Sequence, residues 1–273
     1  MDKIKRNERI AAMMHTFATR PGHYISLNEF TERFGAAKSS VSEDISLLRG
    51  VLEGFGLGTL ETMVGAAGGV KYVPASAGEP VDSFLDSLAE TLLDPARILP
   101  GGFLYMTDIL CRPDAVSRIG DILAGRFADA KPDFVVTVET KGIPVAMMTA
   151  RALNCPLVIA RRDVKSMEGS VVTINYVSAS SQSMQTMSLP KRAMPPGKRA
   201  LMVDDFMKGG GTANGVKQLM AEFGASLVGV GVLIATDIPR EKKVREYTSL
   251  FTLYGVDEAK GHVQLHRTGK KSG

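Results

Sequence analysis

The stretch Leu201-Met-Val-Asp-Asp-Phe-Met-Lys-Gly-Gly-Gly-Thr-Ala213 decides how the rest of the chain is read. A hydrophobic run is followed by two carboxylates, a glycine-rich turn, and Thr212 at the expected start of a helix. This order predicts a strand with Asp204 and Asp205 at its carboxyl end, which is where open α/β sheets bind ligands. Gly209, Gly210 and Gly211 let backbone amides point at a phosphate, and the following helix N-terminus adds a favourable dipole. Carboxylates placed there accept hydrogen bonds from sugar hydroxyls or hold a magnesium-bound ligand. The acids precede the glycines, so this is not the dinucleotide fingerprint. No lysine follows the glycines, so it is not a Walker A loop either.

The flanking sequence agrees. Buried-strand runs at Phe134–Val138, Pro156–Ala160 and Leu227–Ala235 alternate with helical patterns at Ala115–Phe127 and Val145–Leu153. Such alternation argues a parallel sheet covered by helices. Thr140-Lys141-Gly142 forms a turn after the first of these strands. Val171 to Leu189 alternates around a serine-rich turn at Ser178–Ser183 and reads as an antiparallel hairpin standing off the sheet. His262 and His266 lie four apart in a strand-like stretch rather than a helix, so no metal pair is expected.

Toward the N-terminus, Pro74-Ala-Ser-Ala-Gly-Glu-Pro80 has linker composition. Before it, Arg9–Ala18 has helical spacing, and Ser26-Leu-Asn-Glu29 is a capping box opening a second helix. Lys38 begins a third helix with Val41, Ile45 and Leu48 on one face. Strand-like runs then flank Gly65-Ala-Ala-Gly-Gly69. Three helices and a glycine-tipped hairpin make a winged helix-turn-helix. Ser39, Ser40 and Ser42 let the third helix approach phosphates and base edges closely, and Lys38 neutralises phosphate charge. Lys5 and Arg6, with Lys3 and Arg9, crowd the first turns, and Lys71 lies on the wing. Against this reading, residues 1–74 are nearly neutral, with nine Lys/Arg and eight Asp/Glu. A serine-capped helix in an ordinary three-helix domain is the alternative.

Composition narrows the class. The 273 residues are 44% hydrophobic and 23% charged, a soluble globular balance that excludes wholesale disorder. Two cysteines, Cys111 and Cys155, exclude a disulfide framework and a four-cysteine zinc site. The longest apolar stretch, Ser226–Thr236, is about half a membrane span, and no secretory signal is visible. A cytoplasmic location without membrane contact is expected. The net charge of +4 mildly favours polyanionic partners. Much of it sits between Arg161 and Arg199, where seven basic residues face two acids. That stretch is either solvated surface or a clamp bordering a phosphate-rich ligand.

Val203-Asp-Asp-Phe-Met-Lys-Gly-Gly-Gly-Thr212 resembles the phosphoribosyl pyrophosphate (PRPP) motif of type I phosphoribosyltransferases, and Thr140-Lys-Gly142 resembles the pyrophosphate loop of that fold. A winged helix ahead of it, with Ala37-Lys-Ser-Ser-Val-Ser-Glu-Asp44, Gly65-Ala-Ala-Gly-Gly-Val-Lys-Tyr72 and Arg97-Ile-Leu-Pro-Gly-Gly102, resembles the purine operon repressors of Gram-positive bacteria, from about Arg6 to Leu253. The resemblance implies an α/β chain in three parts. Residues 1–74 would be a winged-helix DNA-binding domain, 75–80 a linker, and 81–273 a phosphoribosyltransferase-like effector-binding and dimerisation domain. It implies a homodimer on a double-stranded DNA operator of purine genes, with PRPP as effector, with or without magnesium, and no required cofactor. Guanine nucleotides are candidate competitors.

The implied effector residues are Asp204 and Asp205 on the ribose hydroxyls and Met207 to Thr212 around the 5′-phosphate. Thr140, Lys141 and Gly142 would hold the pyrophosphate. Phe206 and Tyr105 would line the pocket, although core packing is the alternative for Phe206. At Lys208 the enzymes usually carry a small residue, and at Gly209 commonly threonine. Those departures favour ligand retention over turnover. A purine phosphoribosyltransferase with an accessory domain is the competing expectation.

Overall fold

Three helices open the chain in the computed structural model, which describes residues 4–65, 68–163, 169–177 and 183–269: α1 (Arg6–Thr19), α2 (Leu27–Phe34) and α3 (Lys38–Gly54). The Ser26 side chain accepts a hydrogen bond from the Glu29 amide at 3.2 Å, the first half of the expected capping box, while the Glu29 carboxylate pairs with Arg20. Gly35, with φ 59°, ends it in the left-handed conformation that glycine adopts without a Cβ penalty. Met13, Phe17, Phe30, Val41, Ile45 and Leu48 close the core between the helices. The Phe17 and Phe30 rings meet edge-on, 5.4 Å between centroids.

Strands β1 (Gly58–Met63) and β2 (Gly69–Pro74) pair antiparallel, and Ile25 adds a bridge to Val70 on the free side of β2. That is the winged-helix arrangement. Ala66 and Ala67 of the expected glycine-tipped turn lie outside the described residues, as do Lys3, Lys165 and residues 178–182 of the expected serine-rich turn.

Helix α4 (Glu79–Leu92) begins inside the stretch read as linker, with Pro80 in its first turn, where a missing N–H costs nothing. A short hairpin, β3 (Ile98–Leu99) and β4 (Phe103–Leu104), leads through α5 (Thr107–Leu110) to α6 (Pro113–Arg126). Then come β5 (Phe134–Val138), α7 (Ile143–Leu153), β6 (Leu157–Ala160), the hairpin β7 (Val171–Val177) and β8 (Met184–Pro190), and β9 (Arg199–Met207). The chain continues through α8 (Gly211–Glu222), β10 (Ser226–Thr236), β11 (Thr248–Asp257) and β12 (His262–Arg267).

The main sheet has the order β12-β11-β10-β9-β5-β6. All neighbours are parallel except β12, which turns back on β11. The expected parallel sheet is therefore parallel with one antiparallel edge. Of the two last strands, β12 coincides with the strand-like stretch around His262 and His266, whereas β11 was not read from the sequence. Alternation along β9 divides the core: Leu201 and Val203 face α4, α6 and α7, whereas Ala200 and Met202 face α8 and the β7–β8 hairpin. Arg267 on β12 pairs with Asp82 and Asp86 of α4, tying that edge to the helical layer.

The two domains meet at the C-terminal end of α7. Gly22, with φ 70°, lies so close that a Cβ there would stand 2.6 Å from the Ala152 carbonyl oxygen. Arg151 Nη2 donates to the Ala18 carbonyl at 3.3 Å, and Asn154 Nδ2 lies 3.1 Å from His23 Nδ1. A cleft of ≈ 390 Å³ lined by Arg20, His23 and Arg151 borders this contact on one side, and one of ≈ 350 Å³ lined by Tyr24, Lys71 and Lys131 on the other.

Candidate functional site

Strands β5 and β9 pair only as far as Val136 and Met202, whereas β9 stays paired to β10 through Met207. The last residues of β9 therefore have one free backbone edge, opposite the turn that leaves β5. Helix α7 covers one face here and α8 the other, which makes this the crevice where doubly wound sheets take ligands. Asp204 and Asp205 lie in this free-edged segment, inside the strand and not beyond its end.

Asp205 is 9% exposed. Its amide donates to Asp204 Oδ1 at 2.9 Å. Burial and then the neighbouring Asp205 charge push the Asp204 carboxyl well above the usual carboxylate range, partly opposed by Arg162. Two such acids with little solvent are poised for hydroxyl groups or a cation, either of which lowers the cost of the buried charge.

On one side of the acids, Lys208 is exposed and Gly210, with φ 73°, turns the chain into α8. Gly210 has no side chain with which to cap α8, and among the described residues none does so, which leaves its first amides open to an anion. The Gly209 carbonyl accepts from the Lys243 amide at 2.9 Å, which fixes the glycine loop to the segment after β10. Thr212 stands in the first turn of α8, half-buried.

On the other side, Thr140 and Lys141 are exposed and Gly142 is the N-cap residue of α7. A Cβ at Gly142 would come within 2.9 Å of Thr137 Oγ1 and closer still to Asp204 Oδ1. Glu139 Oε1 accepts from the Arg162 amide at 2.6 Å. The structure thus brings together the acid pair, the glycine loop, the Thr140–Gly142 loop and Arg162. The segment 237–247 adds Lys243, which sequence reading passed over. The signal was the charged run Arg240-Glu-Lys-Lys-Val-Arg245 directly after a strand's carboxyl end.

Other candidates lie elsewhere. Phe206 packs partly against the core on the α7 side, and Met207 is buried on the α8 side. The Tyr105 carbonyl accepts from Arg97, and the neighbouring Gly102 and Pro95 approach Glu258 and Gly261 near the turn between β11 and β12, two strands from β9. The basic stretch from Arg161 to Arg199 is divided. Arg161 and Arg162 follow β6 at the site, while Lys198 and Arg199 engage Asp133 at the other end of β9. Five residues of strand, about 17 Å at ~3.3 Å each, separate Arg199 from Asp204.

In the winged helix, Lys38, Ser39 and Ser42 are exposed and Ser40 half-exposed at the start of α3, whose first turn carries no acid. Helix dipole, hydroxyls and lysine there all suit a phosphate. Lys5 is exposed and its amide donates to Glu8. Arg6 stays 55% exposed while pairing with Asp44. Lys71 pairs with Glu61 at 2.9 Å and sits over the Tyr24 ring in the cleft between the domains.

Comparison with known proteins places this architecture. Residues 5–74 match the family described as bacterial purine repressor, N-terminal, and residues 106–268 match the phosphoribosyl transferase domain. The chain is 45% identical to the purine biosynthesis transcriptional repressor PurR of Bacillus subtilis (strain 168), over 96% of its own length and 92% of that protein. The chain belongs to the PurR family of purine biosynthesis transcriptional regulators.

PurR proteins include activators as well. That of Lactococcus lactis subsp. lactis (strain IL1403), named a purine biosynthesis transcriptional activator, is 38% identical over 96% of this chain and 97% of its own. Among solved structures, adenine phosphoribosyltransferase from Thermoanaerobacter pseudethanolicus shares the fold of the larger domain. Its TM-score is 0.53 at 18% identity, covering 62% of this chain and 99% of that one. The PurR family therefore carries a phosphoribosyltransferase fold in a transcription regulator. Among the described residues no helix is long and apolar enough to cross a membrane, and no group of three or more His, Cys, Asp or Glu is placed to hold a metal.

Proposed function

We propose that this PurR-family chain is a cytoplasmic, homodimeric DNA-binding regulator of purine biosynthesis and salvage genes whose operator affinity is set by PRPP, and that it acts as a repressor released by PRPP. The observation that carries the reading is the acid pair of β9 flanked by two loops that each end in an uncapped helix start. One, at the start of α8, suits a 5′-phosphate, and the other, at the start of α7, suits a pyrophosphate. Asp204 and Asp205 take the ribose hydroxyls between them. Their hard oxygen ligands also suit magnesium carried on the pyrophosphate. Guanine nucleotides, which also carry a 5′-phosphate and ribose hydroxyls, compete for the same loops and acids.

Lys38 and the serines of α3 contact the operator. PRPP controls this contact only by binding free protein better than DNA-bound protein. Calorimetry is expected to show PRPP binding, weakened at least about tenfold (~1.4 kcal/mol) by Asp205→Ala and also weakened by Lys208→Ala. PRPP is expected to move the operator-binding curve to weaker affinity, a shift that Asp205→Ala abolishes while DNA binding persists. Lys38→Ala is expected to weaken operator binding and reduce its salt slope by about one, with PRPP affinity intact. An operator curve unmoved at saturating PRPP refutes the coupling.

The match to a phosphoribosyl transferase domain supports a second reading, residual base transfer. The charged Lys208 in the phosphate loop argues against it by holding ligand in the ground state. No pyrophosphate release above background is expected with PRPP and adenine, guanine, hypoxanthine or xanthine. Release with any of them establishes the enzyme.

A further inference from the structure

Thr137, on β5, is fully buried, and its hydroxyl has no hydrogen-bond partner among the described residues. Buried hydroxyls left unbonded are destabilising, and native proteins seldom retain one without a use for it. This one lies beneath the Thr140–Gly142 loop. Thr137 Oγ1 and Asp204 Oδ1 both border the place that a side chain at Gly142 would fill. Glycine at 142 thereby keeps open a polar gap between the hydroxyl, the carboxylate and the start of α7. Valine has nearly the same shape as threonine and suits a strand better than most residues. A strand position inside an apolar layer gives no packing reason to prefer the hydroxyl.

We infer that Thr137 is a positioning residue of the ligand site: its hydroxyl donates to the Asp204 carboxylate when that carboxylate turns to receive the ribose hydroxyls of a phosphoribosyl ligand. Asp204 Oδ1 is engaged by the Asp205 amide. Turning the carboxylate toward a sugar releases that bond, and Thr137 Oγ1, which borders the same gap as Asp204 Oδ1, is the hydroxyl at hand to replace it. Thr137 thus trades stability of the free protein for order in the bound one. The inference rests on the PRPP reading of the site.

Removing the hydroxyl moves stability and binding in opposite directions, which a purely structural residue does not do. Thr137→Val is expected to leave Tm unchanged or raise it by a few degrees. The same variant is expected to weaken PRPP about tenfold in calorimetry, the loss of one hydrogen bond to a charged group. Thr137→Ser, which keeps the hydroxyl, is expected to retain wild-type affinity. Asp205→Ala serves as the reference in the same titration. If Asp205→Ala loses PRPP binding while Thr137→Val keeps it within about twofold, the role of Thr137 is overturned and the site stands. If Thr137→Val lowers Tm and affinity together and Thr137→Ser behaves alike, the residue is structural, and the inference also fails. If neither Asp205→Ala nor Thr137→Val changes affinity, the PRPP reading falls and the inference with it.

Discussion

Gly142→Ala is expected to reduce PRPP affinity by about a hundredfold or more, ~2.7 kcal/mol, and to leave operator binding insensitive to PRPP. The backbone does not require glycine here. With φ −70° and ψ −17°, Gly142 has ordinary helical angles that alanine adopts readily. What excludes a side chain is the space, because the added Cβ meets Asp204 Oδ1, the Asp204 Cα at 3.1 Å and Thr137 Oγ1 at 2.9 Å. Backbone atoms of β9 cannot yield, since β10 holds that strand in register through Met207. The adjustment therefore falls on the Asp204 carboxylate and the first turn of α7, the two parts that address the ribose and the pyrophosphate. A shift near 1 Å at such a site takes both groups out of hydrogen-bond distance of the ligand. Calorimetry and an operator titration with and without PRPP measure both effects. A Gly142→Ala protein that still responds fully to PRPP would remove the Thr140–Gly142 loop from the site.

The second large effect concerns Asp44. This carboxylate on α3 is 1% exposed and is held by Arg6 at 2.8 Å and by Arg9 at 2.7 Å. It fastens the first turn of α1 to the helix expected to enter the DNA groove. Asp44→Ala strands Arg9, whose side chain is only 13% exposed, next to an apolar core. Breaking such a pair from one side costs about 3–5 kcal/mol where both charges are buried. With Arg6 half in water the expectation here is roughly 2–4 kcal/mol. A winged-helix transition lowered by roughly 10 °C or more in calorimetric unfolding is the expected signature. Operator affinity should fall with it, while PRPP binding in the other domain is retained. An unchanged transition would show that water satisfies both arginines in place of the carboxylate.

How much of this was legible in the sequence depended on whether the signal was local. The Ser26 cap, the Val41–Ile45–Leu48 face and the acid-then-glycine order of 204–211 are each written within a few neighbouring residues, and the structure carries them as expected. Thr137 escaped because nothing about a threonine in a β run distinguishes a bonded hydroxyl from an orphaned one. Only the approach of Gly142 and Asp204, from two other segments, makes the difference. The division of the Arg161–Arg199 stretch was invisible for a related reason, since charge counted along the chain ignores that β6 ends and β9 begins at opposite ends of the parallel sheet. The cationic segment after β10 was readable in principle. Its signal is charge density alone, with no glycine turn or paired acids to mark it.

The contact at Gly22 bears on how such a regulator is assembled from parts. The DNA-reading module is joined to the rest both by a covalent tether near residue 75 and by a turn pressed backbone to backbone on Asn154 and its neighbours. A tether transplants freely, but this seat does not, because any side chain at position 22 collides with the Ala152 carbonyl. A chimera carrying a foreign winged helix on the same tether should bind its own operator, yet remain indifferent to events in the sheet domain unless its first inter-helix turn also offers a bare backbone at that place.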